Sequence, residues 1–563
     1  MVEHVLTKEA GEPMETHEVR LAHALPMFDV NTYVTDFGAT IVPGYKSGKA
    51  DRGLPADAGL ARSIIPPATA ATRDFSTLSP RIPQLIADAC VGCMACVNIC
   101  PDTAILATAQ PRAALEASIT GYAAEQVDPA TTEAQLRGQF CETQKYATVF
   151  ERKGIEPALF GIFVDPTNCK GCAECVEVCA HLGHDALVMI DKQPAMDTAP
   201  ATVDDYRTQF SFFNSLPPTP AVYRNDKALA DLMLGENAIG YVGGAGSCSG
   251  CGEATALRML VAATRQVHGP ESMGMVAATG CNTVYGSTYP FNPFLVPWTN
   301  SLFENAATDA MGIRARWDQA GHPERRLWAV GGDGGMYDIG FQALSRMVAS
   351  GADIKVIVLD TQAYSNTGGQ SSTASFGGQI TKLSAFGKEQ HGYTQRRKEL
   401  GRILLAHGEV YVAQTTAAHI NHFYRAVMDA NEYPGPAVLI VYTPCQPEHG
   451  IGDDASAAHA RMAVDSRAFP LFTYDPRRGP TLAERLSLQG NPALRDDWYR
   501  QPDGNTYDFL SFARSEGRFS PHFAADGSPS IEIQATADDR LLNWRTLQEM
   551  AGVTRSNGTP AAG

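Results

Sequence analysis

The sequence predicts an α/β protein in which a domain with a mostly parallel sheet is preceded by a small, cysteine-rich α+β domain. Three observations carry that expectation. Between residues 235 and 470, strand-like apolar runs alternate with helical ones, as in RLWAVGG, DIGFQALSRMVASG, IKVIVLD and AVLIVYTP. That alternation builds βαβ units and a parallel sheet. Ahead of it stand two runs of four cysteines, CVGCMACVNICP and CKGCAECVEVCA, and within it a glycine turn, AVGGDGGMYDIG, ends one strand and opens a helix.

The chain has 563 residues, more than one hydrophobic core supports, and so divides into several units. Residues 1–80, rich in Gly, Pro, Ala and Thr, read as an extended N-terminal arm or linker. Residues 81–192 form the cysteine-rich domain, with an insertion at 101–168, and 193–234 form a linker. The α/β domain occupies 235–470, and the turn-rich, polar stretch 471–563 reads as a C-terminal wrapping tail. No apolar run is long enough to span a bilayer, so membrane insertion is not expected. A formal net charge of -16 argues against broad nucleic-acid binding, which needs a basic footprint. The N-terminus, MVEHVLTKEAGEPMETHEV, lacks the basic start and apolar stretch of a signal peptide, and a cytoplasmic location is expected. In that compartment thiols stay reduced, so thirteen cysteines point to metal or catalysis rather than disulfides.

Spacing identifies the first eight. Cys90, Cys93, Cys96 and Cys100 repeat the 2, 2, 3 spacing of Cys169, Cys172, Cys175 and Cys179. Thiolates at that spacing are the bacterial ferredoxin pattern, in which the fourth cysteine of each run ligates the other cluster. One [4Fe-4S] cluster would take Cys90, Cys93, Cys96 and Cys179, the other Cys169, Cys172, Cys175 and Cys100, giving a ferredoxin-like domain. A zinc ribbon is the alternative, since zinc also takes four thiolates, usually from separated CxxC pairs. Ala180 stands where the motif usually has proline.

In the glycine turn, Gly332, Gly334 and Gly335 allow close approach to a phosphate at a helix N-terminus, and Asp333 offers a carboxylate for Mg²⁺. Roughly thirty residues on, after the next strand, TQAYSNTGGQSS supplies Thr361 and Asn366. Alone, a GDG is an ordinary turn. In the order strand, GDG, helix, strand, Asn it takes the form of an Mg²⁺–thiamine diphosphate motif.

With two ferredoxin-type runs ahead of a thiamine motif, the chain resembles the C-terminal half of the pyruvate:ferredoxin oxidoreductase family, the 2-oxoacid:ferredoxin oxidoreductases. The likeness runs from about residue 80 nearly to the end, through GSCSGCGE, ATGCNTVYG, NSLFENA, GGDGGMYDIG, DTQAYSNTGGQSS, RRKELGRILLAHGEVYVA and PCQPEHGI. It implies a third [4Fe-4S] cluster close to thiamine on Cys248, Cys251, Cys281 and Cys445. It implies Mg²⁺ on Asp333, Thr361 and the backbone carbonyl of Ala363. The thiamine diphosphate would lie against Glu253, Cys281, Gly332, Asp333, Gly334, Gly335 and the turn Thr361, Gln362, Ala363, Tyr364, Ser365 and Asn366. Asn366, near the substrate, and Glu253 are the catalytic candidates. His449, near Cys445, is either an acid/base or a structural residue, and Cys141, in the insertion, is left as a non-ligand.

The resemblance further implies a β-type subunit that oxidises pyruvate with CoA to acetyl-CoA and CO₂, reversibly, passing electrons to ferredoxin or flavodoxin. The family's cofactor-activating glutamate, substrate-carboxylate residues and CoA domain have no recognisable copies here. An α-type partner subunit would carry them in a hetero-oligomer, and the N-terminal arm could help hold it. The alternatives are a 2-oxoglutarate:ferredoxin oxidoreductase subunit, an electron-transfer subunit with a degenerate thiamine domain, or a non-redox thiamine decarboxylase.

Overall fold

A computed structural model describes residues 30–54, 64–192, 203–225, 228–502 and 504–556. The small domain opens with strand β1 (Arg81–Leu85), which pairs antiparallel with β5 (Leu187–Asp191) so that Arg81 faces Asp191. Each cysteine run is a loop followed by a short helix, α1 (Ala95–Ile99) and α2 (Glu174–His181). The two loops share one backbone path: Gly92 and Gly171 have φ of 70° and 69°, and Met94 and Ala173 have φ of 69° and 70°. Left-handed backbone at a non-glycine residue is costly, and its repetition at equivalent places marks a loop shaped around something. Within 101–168 a three-stranded antiparallel sheet, β2 (Ile105–Pro111), β4 (Ala158–Val164) and β3 (Phe140–Cys141) in that order, gives the domain its core.

The large domain is an eight-stranded sheet. It comprises β6 (Met273–Ala278), β7 (Trp298–Ser301), β8 (Arg326–Gly332), β9 (Lys355–Asp360), β10 (Tyr411–Thr416), β11 (Ala437–Tyr442), β12 (Phe472–Tyr474) and β13 (Leu486–Ser487). The spatial order is β13-β12-β10-β11-β9-β8-β6-β7, and the six strands from β10 to β7 run parallel. Their near-continuous apolar sequences suit strands covered on both faces. In β9, Val356 and Val358 face one core while Ile357 and Leu359 face the other. From β6 the chain crosses to β7 on one side, and from β8 to β9 on the other. The sheet therefore switches direction between β6 and β8, the place where an open α/β sheet leaves a crevice at its carboxyl edge. Helix α3 (Gly252–His268), buried along most of its length, joins the two domains. Its Thr255 hydroxyl donates to Ile99 O at 3.3 Å, and its Arg258 guanidinium to Val97 O at 3.0 Å.

Three readings of chain organisation change. The arm, expected to be extended, is helical over Val30–Asp36, Phe37–Ile41 and Val42–Lys46, while residues 1–29 and 55–63 of that expectation lie outside the described residues. Tyr33, Phe37 and Ile41, four apart, form one apolar face against Tyr289 and Phe291, a helical period concealed by the β-branched residues around it. The linker contains a helix, Val203–Ser215, whose Phe212 packs with Phe140 and Phe163; residues 193–202 and 226–227 lie outside the described residues. The tail is core material. Strands β12 and β13 extend the sheet antiparallel past residue 470, and helix α6, the last helix (Ile531–Met550), buries Ile533, Ala537, Trp544 and Leu547 beside Phe509, Phe512 and Phe519. No helix among the described residues is long and apolar enough to cross a membrane.

Candidate functional site

Cys90, Cys93, Cys96 and Cys179 line one cavity, with Ile162, Ala186 and Leu187 closing it. The fourth cysteine comes from the other run, as the spacing predicts. Burial, then the nearby Cys93, Cys90 and Cys179 thiols, push Cys96 well above the ordinary thiol range. Cys175 is raised in the same way by burial and by Cys172, Cys169 and Cys100, so the second set is also crossed. Both crossing cysteines accept a backbone N–H, Cys179 from Ala186 at 3.2 Å and Cys100 from Ala104 at 3.3 Å. Such raised thiols, packed together without disulfides, are destabilised as bare groups and suited to deprotonation by a metal. Among the described residues no group of His, Cys, Asp or Glu is arranged to hold a metal ion on its own; the first set surrounds a cavity. Cys141 lies outside both sets, its thiol donating to Phe160 O at 3.4 Å and Cys90 O at 3.7 Å, yet it is near enough to the Cys90 thiol to lower it below the ordinary thiol range.

The third set gathers at the carboxyl edge of the sheet. Cys251 caps α3, Cys281 is the first residue of helix α4 (Cys281–Gly286), which follows β6, and Cys445 caps the helical turn Gln446–His449. Burial raises Cys281, followed by Glu253 and then Cys251, Cys445 and Cys248. Cys248 is exposed, the other three half-buried.

Cys281 also opens onto a cavity of about 260 Å³ at the β6/β8 switch point. Its walls include Glu253, Cys281, Gly332, Asp333, Gly334, Gly335, Thr361, Ala363, Tyr364, Ser365 and Asn366. All the residues expected to meet thiamine are therefore there except Gln362. Helix α5 (Asp333–Met336) starts at the end of β8 with Gly332 as its cap, so its first N–H groups face the crevice. A Cβ on Gly335 would stand 2.8 Å from that of Ala278, so packing against β6 demands glycine there. Asp333 Oδ1 accepts Thr361 N–H at 3.1 Å, Asp333 Oδ2 accepts the Ser372 hydroxyl at 2.7 Å, and the Thr361 hydroxyl donates to Ala363 O at 2.9 Å. The three expected Mg²⁺ ligands thus converge. Burial and then Asp360 raise Asp333 well above the carboxylate range, a penalty that a bound cation would remove. Two buried acceptors in the cavity wall, Glu253 Oε2 and Asn282 Oδ1, have no hydrogen-bond partner, and burial lifts Glu253 to about 8. A cleft with unpaired acceptors at one place and helix N–H groups with a carboxylate at another fits a molecule carrying N–H donors and a diphosphate.

Gln362 turns away from this cavity. Fully buried, it accepts Arg518 at Oε1 (2.7 Å), and its carbonyl takes Ser375 (2.7 Å) and Gln379 (2.9 Å), which makes it a scaffold residue. His449 is scaffold as well: its Nε2 is 2.8 Å from Thr361 O, and burial lowers it to about 3, so it stays neutral and donates there. Sequence reading missed Thr279, Gly280, Asn282, Phe303, Ile339 and Thr367 in the cavity wall, and Ser372 on Asp333. Gly280 and Asn282 flank Cys281 in the ATGCN segment, and Ser372 belongs to GGQSS, so adjacency to the motifs was the available signal.

Two protein-family matches agree with this layout: thiamine pyrophosphate enzyme, C-terminal TPP binding domain, over residues 278–441, and 4Fe-4S binding domain over residues 83–106. A pyruvate-flavodoxin oxidoreductase of Rhodospirillum rubrum is 27% identical over 95% of this chain and 46% of its own length. Pyruvate synthase subunit PorB of Thermotoga maritima is 29% identical over 55% of this chain and 93% of its own length. This chain spans less than half the length of the first curated relatives it matches. A solved 2-oxoglutarate:ferredoxin oxidoreductase from Magnetococcus marinus covers 35% of this chain and 64% of its own at 22% identity and a TM-score of 0.31, which says nothing about chemistry here.

Proposed function

We propose, because the chain belongs to the pyruvate:ferredoxin oxidoreductase family, that it is the thiamine- and cluster-bearing β-type subunit of such an enzyme. The reaction would take pyruvate, CoA and oxidised ferredoxin or flavodoxin to acetyl-CoA, CO₂ and the reduced carrier. The observation that carries this reading is the double position of Cys281, which lines the cavity holding Asp333 and Glu253 and also stands with Cys248, Cys251 and Cys445.

Bound thiamine diphosphate supplies the electron sink that decarboxylation of a 2-oxo acid requires. Asp333, Thr361 and the Ala363 carbonyl would hold Mg²⁺, with the N–H groups opening α5 on the diphosphate. Glu253 and Asn282 would accept hydrogen bonds from the cofactor's ring end and fix its orientation. Asn366 and Tyr364 line the same wall, and the Tyr364 hydroxyl is held by Asp338 Oδ2 at 2.5 Å. The loop ending at Cys248 is bonded to residues beside Cys169 and Cys100: Lys170 Nζ meets Ser247 O at 2.8 Å, and Thr103 Oγ1 meets Tyr241 O at 2.7 Å. The set with Cys90 shares its cavity with Ala186 and with Leu187, the first residue of β5. Three [4Fe-4S] clusters on these sets would form the electron path.

The full chain, co-expressed with its partner and purified without oxygen, should contain about twelve irons per chain and release thiamine diphosphate on denaturation. It should reduce ferredoxin or flavodoxin with pyruvate and CoA, and a panel including 2-oxoglutarate identifies the acid. The chain alone should be inactive with CoA and a dye acceptor; activity there would remove the partner requirement, and absence of thiamine would overturn the reading.

A further inference from the structure

The ammonium of Lys170, the residue after Cys169, is 5% exposed in its side chain and uses all three of its N–H groups. They go to Asp102 Oδ1 at 2.7 Å, Ser247 O at 2.8 Å and Ser247 Oγ at 2.9 Å. Asp102, 3% exposed in its side chain, is two residues beyond Cys100, and Ser247 immediately precedes Cys248. One buried cation thus ties together the loops of Cys169, Cys100 and Cys248. Phe75 covers it from outside, its ring centroid 5.3 Å from Nζ. The nearby Arg258 guanidinium is engaged elsewhere, on Val97 O.

Stability alone is a poor explanation for such a pair. Two charges removed from water lose hydration that their attraction barely repays, and well-packed apolar residues often do as well. The pair's position is more informative. Electron transfer falls steeply with separation, and an iron–sulfur potential responds to net charge and hydrogen bonding around its sulfurs. We propose that Lys170 and Asp102 form a charge clamp that fixes the spacing between the Cys248/Cys251/Cys281/Cys445 cluster and the Cys100/Cys169/Cys172/Cys175 cluster and sets the potential of the latter. The inference rests on the cluster assignment of the proposed function. The step concerned moves one electron, drawn from the 2-oxo acid, out of the first cluster, which is oxidised, into the second, which is reduced.

Lys170→Met leaves a carboxylate uncompensated beside Cys100, which disfavours the added electron. Asp102→Asn leaves an uncompensated ammonium, which favours it. Potentiometric titration followed by electron paramagnetic resonance at pH 8, on the full chain with its co-purifying subunits, should move the second cluster in opposite directions in the two variants. Poised at the wild-type midpoint, its reduced-to-oxidised ratio should change roughly tenfold each way. The double variant K170M/D102N, electrically neutral like the native pair, should restore the potential. It should still slow the second cluster's reduction after the first in freeze-quenched samples, because the tie to Ser247 is lost. It also decides the matter if a single variant fails to fold. Equal potentials in all variants that carry clusters, or shifts of one sign, would overturn the clamp alone. Wild-type protein lacking iron would overturn the cluster assignment, and the clamp with it.

Discussion

Gly335 and Gly332 occupy one turn yet differ in the room around them. A methyl group on Gly335 meets Ala278 Cβ at 2.8 Å and Phe303 O at 3.2 Å, whereas on Gly332 the nearest atom is Leu359 O at 3.6 Å. Gly335→Ala should therefore cost about 1–3 kcal/mol by overpacking, and Gly332→Ala less than about 1 kcal/mol. Urea unfolding of the two variants checks the difference, and Gly335→Ala should also lower the retained thiamine. Glu516 makes a second residue-scale case. Burial alone would raise it, but Arg518, 2.6 Å away, holds it at about 2. A depressed carboxylate contributes stability that is fully present above its unfolded value of about 4.5 and is lost as the pH falls towards 2. That contribution is on the order of 3 kcal/mol. Glu516→Gln should destabilise the chain at neutral pH by about 3–5 kcal/mol, because Arg518 loses its buried partner, and should flatten the acid side of the stability profile between pH 4.5 and 2. Melting temperature against pH measures both. The same scale shows what a motif discloses. Cysteine spacing identified the crossed sets because chemistry fixes the ligand geometry. The five-residue run from Gln362 to Asn366 could not reveal that Gln362 turns inward, since that depends on Arg518, 156 residues away.

At the scale of elements, the parallel strands were legible because burial on both faces writes a continuous apolar run. The last helix was not. Helix α6 spaces Ile533, Ala537, Trp544 and Leu547 at 4, 7 and 3 residues among polar ones, and turn-rich segments precede it, so its buried face is diluted in the sequence. Trp544 makes the difference testable. Its ring is fully buried, its indole N–H donates to Asp496 O at 2.9 Å, and Arg467 stacks 4.2 Å from it. Trp544→Ala should cost about 3–5 kcal/mol in denaturant unfolding, where a wrapping tail would tolerate the change within about 0.5 kcal/mol. The arm follows the same logic from the other end. Ala70 N–H donates to Asn292 O at 3.1 Å and Arg73 to Gly244 O at 3.2 Å, so its described part clasps the loop that leads to Cys248.

For the molecule as a whole, the question is whether the thiamine cavity and the cysteine sets act as one device. Cys251 provides the test because it can be changed with little harm to the fold. It caps α3, whose first turn leads to Glu253, and serine is among the preferred N-caps. Cys251→Ser should therefore keep helix, cavity and cofactor while removing one of four thiolates from the set nearest the cavity. Thiamine released on denaturation should match the wild type. Dithionite should still reduce the two ferredoxin-type clusters, whose eight cysteines are untouched. Pyruvate with CoA should not, and acceptor reduction should fall by at least about a hundredfold. The contrast between chemical and substrate reduction separates a broken link from a damaged protein, since misfolding would abolish both. If substrate still reduced the ferredoxin-type clusters at the wild-type rate, electrons would be leaving the cavity by a route that bypasses Cys251, and the GSCSGCGE segment would be a structural turn beside the cofactor rather than the junction between it and the electron path.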